Sequence, residues 1–188
     1  AYHMPGIPLT VVDVDNVDGG FQATRCLIDG GHQRIATITG PPDWKSVNDR
    51  LYGYQLALQQ AGLPFTDLLL DAGDWSYESG YQAMQRLLQR APQLTAVFAH
   101  NDQMAIGAIR ALLEAGRRIP GDVAVVGYDD IPAAAYSYPP LTTIRQPMRK
   151  VGKVATQLLI EAIRNPNAEK KEVLLKPELV RRKSCGGA

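Results

Sequence analysis

Polar side chains that could hold a small ligand recur directly after the apolar segments of this 188-residue sequence. Arg50, Asn101 and Asp129 would supply the donors and acceptors that bind sugar hydroxyls. Trp75 would supply a flat apolar surface for the C–H face of a pyranose ring. The alternatives are a helix-capping role for Asn101, a turn role for Asp129 and simple rim packing for Trp75. These residue types favour a carbohydrate site.

Arg50 is the member of this set that most needs a partner. It is expected in the first turn of a helix that begins with the capping-box-like pair Ser46 and Asp49. A cation there opposes the helix dipole, so the position is favourable only with an anionic or polar partner. A ligand would be such a partner; pairing with Asp49, or solvation, is the alternative.

Sequence signals for catalysis and for metal binding are weak. No G-x-S-x-G, P-loop, G-x-G-x-x-G or H-E-x-x-H motif occurs. Asp129 and Asp130 resemble the acidic pair of a metal site or of a phospho-acceptor domain. A phospho-acceptor domain would also need a lysine at the end of a later strand, where this sequence reads Thr142-Thr143-Ile144-Arg145. Cys26 and Cys185 lie far apart and lack metal-ligand spacing, so two reduced thiols are expected rather than a structural disulfide. We expect no enzyme activity, no cofactor and no metal.

The composition is that of an ordinary globular protein. Hydrophobic residues make up 45% of the chain and charged residues 21%, with 20 basic against 19 acidic side chains and a net charge of +1. This balance predicts no general attraction to nucleic acid or to anionic membranes. No apolar run approaches the ~20 residues that a membrane span needs.

Short β-branched segments alternate with amphipathic helices along the chain. Strands that are apolar on both faces and alternate with helices predict an α/β fold with a doubly wound parallel sheet. In such a sheet, ligands bind beyond the carboxyl ends of the strands, where this sequence also places Asn16, Trp44, His100 and Tyr128. The predicted strands are Leu9–Val12, Ile35–Thr39, Thr66–Leu70, Thr95–Ala99, Val123–Val126, Thr142–Ile144, Glu172–Lys176 and Leu179–Arg182; the predicted helices cover 20–28, 46–61, 76–91, 102–115 and 151–163.

Seven blocks in order make the sequence resemble the LacI/GalR family of transcription regulators. The block around Leu141-Thr142-Thr143-Ile144 is more typical of these regulators than of periplasmic sugar-binding proteins. The resemblance implies a two-lobed, periplasmic-binding-protein-like core that binds an effector between its lobes. The blocks are Asp15-Asn16 with Gly19-Gly20, Gly31-His32-Gln33-Arg34-Ile35-Ala36, Gly40-Pro41, Arg50 with Gly53-Tyr54, Asn101-Asp102-Gln103-Met104-Ala105-Ile106-Gly107-Ala108, Val126-Gly127-Tyr128-Asp129-Asp130 and Pro140-Leu141-Thr142-Thr143-Ile144-Arg145-Gln146-Pro147.

The resemblance also implies roles for individual residues. Arg50, Asn101 and Asp129 match positions that contact sugar hydroxyls, and Trp75 matches an aromatic that stacks on the sugar. Gln146 matches a polar contact near the hinge, while Ser46 and Trp44 lie in a loop that lines the site. A dimer interface is implied through Ile106, Ile109 and Tyr136, with core packing as the alternative for the two isoleucines.

The resemblance covers the carboxyl-terminal lobe and only part of the other lobe. The helix Val151–Ile163 would therefore lack the sheet that normally covers it, and we expect it to pack back on its own lobe or to associate with a neighbouring molecule. The expected organisation is a tag remnant at 1–4, a partial amino-terminal lobe at 5–15, the carboxyl-terminal lobe at 16–143, a return segment at 144–172 and terminal strands with a tail at 173–188.

The function expected from this reading is effector binding, with a sugar favoured over a purine. The chain would be the core of a cytoplasmic, homodimeric regulator that reaches operator DNA only through a helix-turn-helix domain absent here. A periplasmic or transporter-linked sugar receptor is the alternative. No membrane partner is expected for the regulator.

Overall fold

The computed structural model describes residues 9–165 and 169–186 and contains a six-stranded sheet in the order β3-β2-β4-β5-β6-β8. Neighbouring strands are parallel except β8, which runs antiparallel to β6 at the edge. The strands are β1 (Val11–Val14), β2 (Ile35–Thr39), β3 (Leu70–Ala72), β4 (Ala96–Ala99), β5 (Ala124–Asp129), β6 (Thr142–Arg145), β7 (Glu172–Leu175) and β8 (Glu178–Val180). The helices are α1 (Asn16–Asp29), α2 (Lys45–Gln60), α3 (Tyr77–Arg90), α4 (Asp102–Glu114), α5 (Pro132–Tyr136) and α6 (Met148–Arg164).

Helices cover both faces of the six-stranded sheet. The pair α1 and α2 packs on one face and the pair α3 and α4 on the other. Every residue of β2 and β4 is buried, as expected for central parallel strands. The predicted α/β fold with a doubly wound sheet is confirmed; the antiparallel edge strand β8 is the part that the pattern did not indicate.

A second, smaller unit consists of β1, β7 and α6. β1 pairs in parallel with β7, and α6 packs against β1. No residue of α6 is buried, and Leu159 and Ile163 are 61% and 71% exposed. The helix therefore does not pack back on the larger unit through these side chains. The other predicted outcome, association of this helix with a neighbouring molecule, stays a prediction.

The boundaries expected from sequence differ from the structure in two places. Ile144 and Arg145 complete β6 of the larger sheet, so the return segment begins after them. Within the terminal segment, β7 joins the small sheet whereas β8 joins the large one. The expectation of a tag remnant at 1–4, and residues 5–8 of the predicted amino-terminal lobe, lie outside the described residues.

Two local predictions were wrong. The segment predicted as a strand from Thr66 forms a short 3-10 helix over Asp67–Leu69, because the Thr66 hydroxyl accepts a hydrogen bond from the Leu68 amide and starts a turn. Helix α2 begins at Lys45 without a side-chain cap, and Asp49 pairs instead with Lys45 one turn earlier. Arg50 consequently lies in the second turn of α2, not in the first.

Candidate ligand-binding site

The predicted ligand residues come together at the carboxyl edge of the six-stranded sheet. Asp129 ends β5, Asn101 follows β4 by two residues, and Trp75 follows β3 by three. Arg50 reaches the same edge from α2, since one of its amino groups contacts the carbonyl of His100. Parallel strands bring these chain positions together because all their carboxyl ends meet at one side.

Arg50 is the anchor of this edge. Only 6% of the residue is exposed. Its Nε donates to Asn16 Oδ1 at 2.9 Å, and Nη1 donates to the His100 carbonyl at 2.5 Å. The guanidinium carbon also lies 3.6 Å from the centre of the Tyr128 ring, a cation–π contact. Nη2 has no hydrogen-bond partner among the described residues, so this amino group remains able to donate to a ligand.

Asn16 and Tyr128 hold Arg50 in place, although sequence reasoning gave them no role. Asn16 Oδ1 accepts from both Arg50 and the Tyr128 hydroxyl, the latter at 3.1 Å. A Cβ atom at Gly19 would lie 2.4 Å from that hydroxyl, so glycine is required for Tyr128 to reach Asn16. The available sequence signal was the Gly19-Gly20 pair inside a helix, where glycine indicates close packing rather than helix propensity.

Trp75 forms an aromatic corner with Trp44. Their ring centres are 6.0 Å apart and the planes meet at 79°. The indole of Trp75 lies directly over Gly40, where an added Cβ would approach the ring to 2.3 Å. The Arg50 guanidinium carbon is 6.0 Å from the Trp75 ring. A flat apolar surface therefore lies beside a cationic donor, which is the pairing that a sugar ring with hydroxyl groups would use.

Asn101 caps α4 and also fixes the loop that carries Trp75. Its Oδ1 accepts from the Met104 amide at 2.8 Å, and its Nδ2 donates to the Trp75 carbonyl at 2.9 Å. The capping role considered from sequence is confirmed. Both polar atoms of Asn101 are therefore already engaged, so any ligand contact would have to share them.

The neighbour Asp102 lies beneath the site rather than in it. Its carboxyl accepts from the Thr143 hydroxyl at 2.5 Å and from the Ile131 amide at 2.9 Å. Burial raises the pKa of Asp102 from its usual 3.8 to about 7, although these two hydrogen bonds oppose the increase.

His100 is also buried, and its two ring nitrogens have no hydrogen-bond partner among the described residues. Burial and, to a smaller extent, the Arg50 charge keep the pKa of His100 well below its usual value. The imidazole is therefore neutral.

Asp129 supplies a carboxylate at the same edge. Gln146, directly after β6, donates from Nε2 to Asp129 Oδ1 at 2.6 Å. Burial raises the pKa of Asp129, whereas the Arg50 charge and the Gln146 hydrogen bond act in the opposite direction. Asp129 thus lies close enough to Arg50 to feel its charge, with Gln146 orienting one of its two oxygens.

The next residue, Asp130, ties this edge to the returning chain. Its carboxylate accepts from Arg145 Nε and Arg182 Nη2, both at 2.6 Å. Burial opposes ionisation, but the hydrogen bonds and charges of Arg182 and Arg145 lower the pKa of Asp130 overall. Residues on β6 and after β8 are therefore fixed next to Asp129.

The backbone marks the same place. Among the described residues, the non-glycine positions with positive φ are Trp75 at 78°, Asp129 at 115° and Asp130 at 57°. Such conformations cost free energy and are retained where a site requires them.

The remaining predicted residues lie near the site, in the core or on the surface. Ser46 lies in the first turn of α2 next to the exposed Trp44, on the approach to the edge. Ile109 is buried in the core, and the partly buried Ile106 packs against the same core. For Ile109, core packing, the alternative to an interface role, is therefore what the structure shows. Tyr136, at the end of α5, is 89% exposed.

Among residues 9–165 and 169–186, no cluster of three or more metal-ligating side chains is present. Within the same ranges, no helix combines the length and the apolar character that crossing a bilayer requires.

Comparison with known proteins agrees with this fold. The periplasmic binding protein-like domain family matches residues 24–185. The HTH-type transcriptional regulator CelR of Thermobifida fusca is 44% identical over 182 residues, covering 95% of this chain and 54% of CelR. A solved CelR–cellobiose complex superposes with a TM-score of 0.92 at 44% identity, covering 96% of this chain and 55% of that one. A regulatory protein of LacI family from Chloroflexus aggregans superposes with a TM-score of 0.91 at 38% identity, covering 99% of this chain and 67% of that one.

The fold is thus that of a periplasmic binding protein-like domain. Within that class, the chain belongs to the LacI family. The resemblance seen in the sequence is confirmed. The chain spans about half the length of the curated relatives it matches.

Proposed function

We propose that this chain is the effector-binding core of a LacI-type transcription regulator and that its effector is a carbohydrate. One observation carries the proposal: a nearly buried arginine, fixed by Asn16 and the His100 carbonyl, keeps one amino group without a described partner beside the Trp75 indole. That combination offers a directed donor next to a stacking surface. It is what a polar ring with apolar C–H faces requires.

Two other side chains complete the proposed hydroxyl contacts. Asp129 has one carboxylate oxygen held by Gln146 and a second oxygen that can accept from a hydroxyl. Ser46 and Trp44 would border the ligand on the α2 side. Asn101 would act mainly by holding the Trp75 loop, since its amide already donates to the Trp75 carbonyl.

The regulator as a whole is proposed to be a cytoplasmic homodimer without enzymatic activity or a membrane partner. It would reach operator DNA through a helix-turn-helix domain. Three chain segments connect the two units: Asp15, Gln146–Pro147 and Lys176–Pro177. An effector that prefers one arrangement of these units would shift their equilibrium, and only by its difference in affinity for the two.

A periplasmic or transporter-linked sugar receptor is the second candidate, because the same edge of the same fold would bind the same ligand. The relatives reported above are named as regulators, and this favours the first candidate. A helix-turn-helix segment preceding this core in the gene would support regulation; a secretory signal in that place would support transport.

Calorimetric titration of the full-length protein with a panel of mono- and disaccharides tests the ligand assignment. Arg50→Ala should weaken binding of the preferred sugar by about 10- to 100-fold, because a charge-assisted hydrogen bond contributes about 1.5–3 kcal/mol. Trp75→Ala should weaken it by a similar factor through loss of stacking.

The matched control is Arg25→Ala, because Arg25 forms an exposed pair with Asp29 far along α1 from the site. This variant should bind as the parent does. Circular dichroism confirms that each variant is folded before titration. Tight sugar binding that survives both Arg50→Ala and Trp75→Ala in folded protein would show that the site lies elsewhere.

A further inference from the structure

The two cysteines of the chain meet in the core although 158 residues separate them in sequence. Cys26 lies on α1 and Cys185 in the segment after β8, with 2.8 Å between their sulfur atoms. Both are free thiols and both are buried. A disulfide bond is about 2.05 Å long, so bond formation requires the sulfurs to approach by less than about 1 Å.

A cavity of about 550 Å³ reaches this pair from the surface. Both cysteines line it, together with Arg181, His32 and Asp29. A small reagent that enters this cavity would therefore lie next to both cysteine residues. Cys26 is ten residues along α1 from Asn16, about 15 Å at the helical rise, so this cavity is distinct from the ligand edge.

The surroundings distinguish the two thiols. The hydrogen bond with Cys185 lowers the pKa of Cys26, with a smaller contribution from the Arg181 charge, while burial acts in the opposite direction. The same contact and burial raise the pKa of Cys185. The Cys185 sulfur also lies 3.8 Å from the Cys26 carbonyl oxygen, so the Cys185 S–H can donate to that oxygen. Cys26 is thus the better nucleophile, and Cys185 is placed to react second.

We propose that Cys26 and Cys185 form a thiol-oxidation site whose co-reactant is a small hydroperoxide. The Cys26 thiolate attacks the terminal peroxide oxygen and the O–O bond breaks, leaving a sulfenic acid on Cys26. The departing alkoxide takes up the proton that the Cys26 thiol released and becomes the alcohol. The Cys185 sulfur then attacks the Cys26 sulfur and displaces hydroxide, which leaves as water with the Cys185 proton. Two thiols and one hydroperoxide thus give one disulfide, one alcohol and one water.

The disulfide would anchor the terminal segment of the chain. That segment is otherwise held by noncovalent contacts: Ser184 Oγ donates to the Val125 carbonyl at 2.6 Å, and Arg182 pairs with Asp130. Oxidation would therefore prevent the segment after β8 from separating from α1, and reduction would restore that freedom.

Treatment of the chain with tert-butyl hydroperoxide, followed by intact-mass analysis and non-reducing peptide mapping, tests the site. The expected product is lighter by two hydrogen atoms, has no titratable thiol after denaturation, and yields one peptide linking Cys26 to Cys185 that a dithiol reductant cleaves. Hydrogen exchange should be slower at 178–186 in the oxidised form. Cys26→Ala and Cys185→Ala should each give no internal link and take up oxygen on the remaining thiol or on methionine.

The wild-type mass and peptide map decide the matter even where an alanine variant does not fold. Retention of both thiols after oxidation of the methionines, or a link found only between chains, would overturn the proposal. So would unchanged hydrogen exchange at 178–186 once the internal disulfide has formed.

Discussion

At the scale of single residues, the feature that organises the site is a positive charge nearly closed to solvent. Removing an ion from water is costly unless hydrogen bonds and neighbouring charges offset that cost. For Arg50, the offset comes from two neutral acceptors, the face of Tyr128, and the charge of Asp129 nearby. A ligand hydroxyl accepting from Nη2 would add to this set without further movement of the arginine.

Gly40 controls the position of the stacking surface. In Gly40→Ala, the new Cβ would lie 2.3 Å from the Trp75 ring, so the indole must shift from its present position. We expect sugar affinity to fall by about 10-fold with a smaller change in stability, because the far end of a partly exposed side chain can shift. Calorimetric titration of the full-length variant measures the loss.

Gly152→Ala is the matched control for that change, because a Cβ at Gly152 on α6 meets nothing within 4 Å. This variant should bind as the parent does and should stabilise the helix slightly. Equal affinities in the two alanine variants would contradict the role given to the Gly40–Trp75 contact.

Asp102 predicts a pH dependence of stability. Its pKa is about 7 when folded and near 3.8 when exposed, so the folded protein holds one proton more between those values. The free energy of unfolding should therefore fall as pH rises through this window, with a contribution of up to about 1.4 kcal/mol per pH unit. Asp102→Asn removes this contribution and keeps an acceptor for the Ile131 amide.

Urea denaturation at about pH 5, 6 and 7, which lie within this window, gives the free energy of unfolding at each pH. The effect is the difference between parent and variant in how steeply that free energy falls with pH. Asp43→Asn, at an exposed carboxylate before α2, is the control and should leave the parent slope unchanged. A slope for Asp102→Asn equal to that of the parent would show that Asp102 does not titrate in this range.

At the scale of secondary structure, α6 is the element whose amphipathic sequence predicts a buried face that the structure leaves exposed. Its apolar stripe would ordinarily be buried, yet Met148, Leu159 and Ile163 are exposed. A groove of about 270 Å³ between α6 and β1 is also lined mainly by aliphatic side chains. At about 25 cal/mol per Å², covering this surface would contribute several kcal/mol. The curated relatives are about twice as long, and we propose that the rest of the protein covers α6.

The 188-residue chain alone should therefore self-associate through α6. Leu159→Lys should shift sedimentation toward the monomer, because a lysine charge cannot be buried in an apolar contact at low cost. Gln157→Lys adds the same charge to an exposed position of the same helix and should leave association unchanged. A parent chain that sediments as a monomer at all concentrations would contradict this prediction.

The elements predicted well from sequence are those whose apolar pattern dominates, such as β2, β4 and α4. The Thr66 segment was misjudged because its β-branched start resembles a strand while the Thr66 hydroxyl bonds locally. The start of α2 was misjudged for a related reason: Asp49 found Lys45, a partner that a capping pattern does not take into account. Local side-chain bonds decided both cases, and hydrophobic periodicity carries no information about them.

For the site, sequence order and fold class were enough to place Arg50, Trp75, Asn101 and Asp129 at one edge of the sheet. They placed Asn16 and Tyr128 at the same edge but could not assign them a role, since that role comes from contacts with Arg50 across three different elements. The contact between Cys26 and Cys185 could not be predicted from the sequence for the same reason. Contacts of long sequence separation exist only once the tail has returned to α1.

At the scale of the whole molecule, association is expected to use the surface around α5. Tyr136 and Tyr138 are 89% and 84% exposed, and exposed neighbouring tyrosines are typical of interfaces. In the full-length protein, Tyr136→Ser should weaken the dimer by about 10-fold, measured by analytical ultracentrifugation. Tyr52→Ser, at an exposed tyrosine on α2, is the control. Dimers of equal strength in both variants would place the interface elsewhere.

The chain contains two tryptophans, and both form the aromatic corner at the ligand edge. Nearly all intrinsic near-ultraviolet emission of this chain therefore originates within a few ångströms of the proposed sugar. Occupancy could be followed in unlabelled protein, and Trp44→Phe would isolate the signal of the single indole that stacks. The same fluorescence signal would report whether the surroundings of that indole change when the sugar binds.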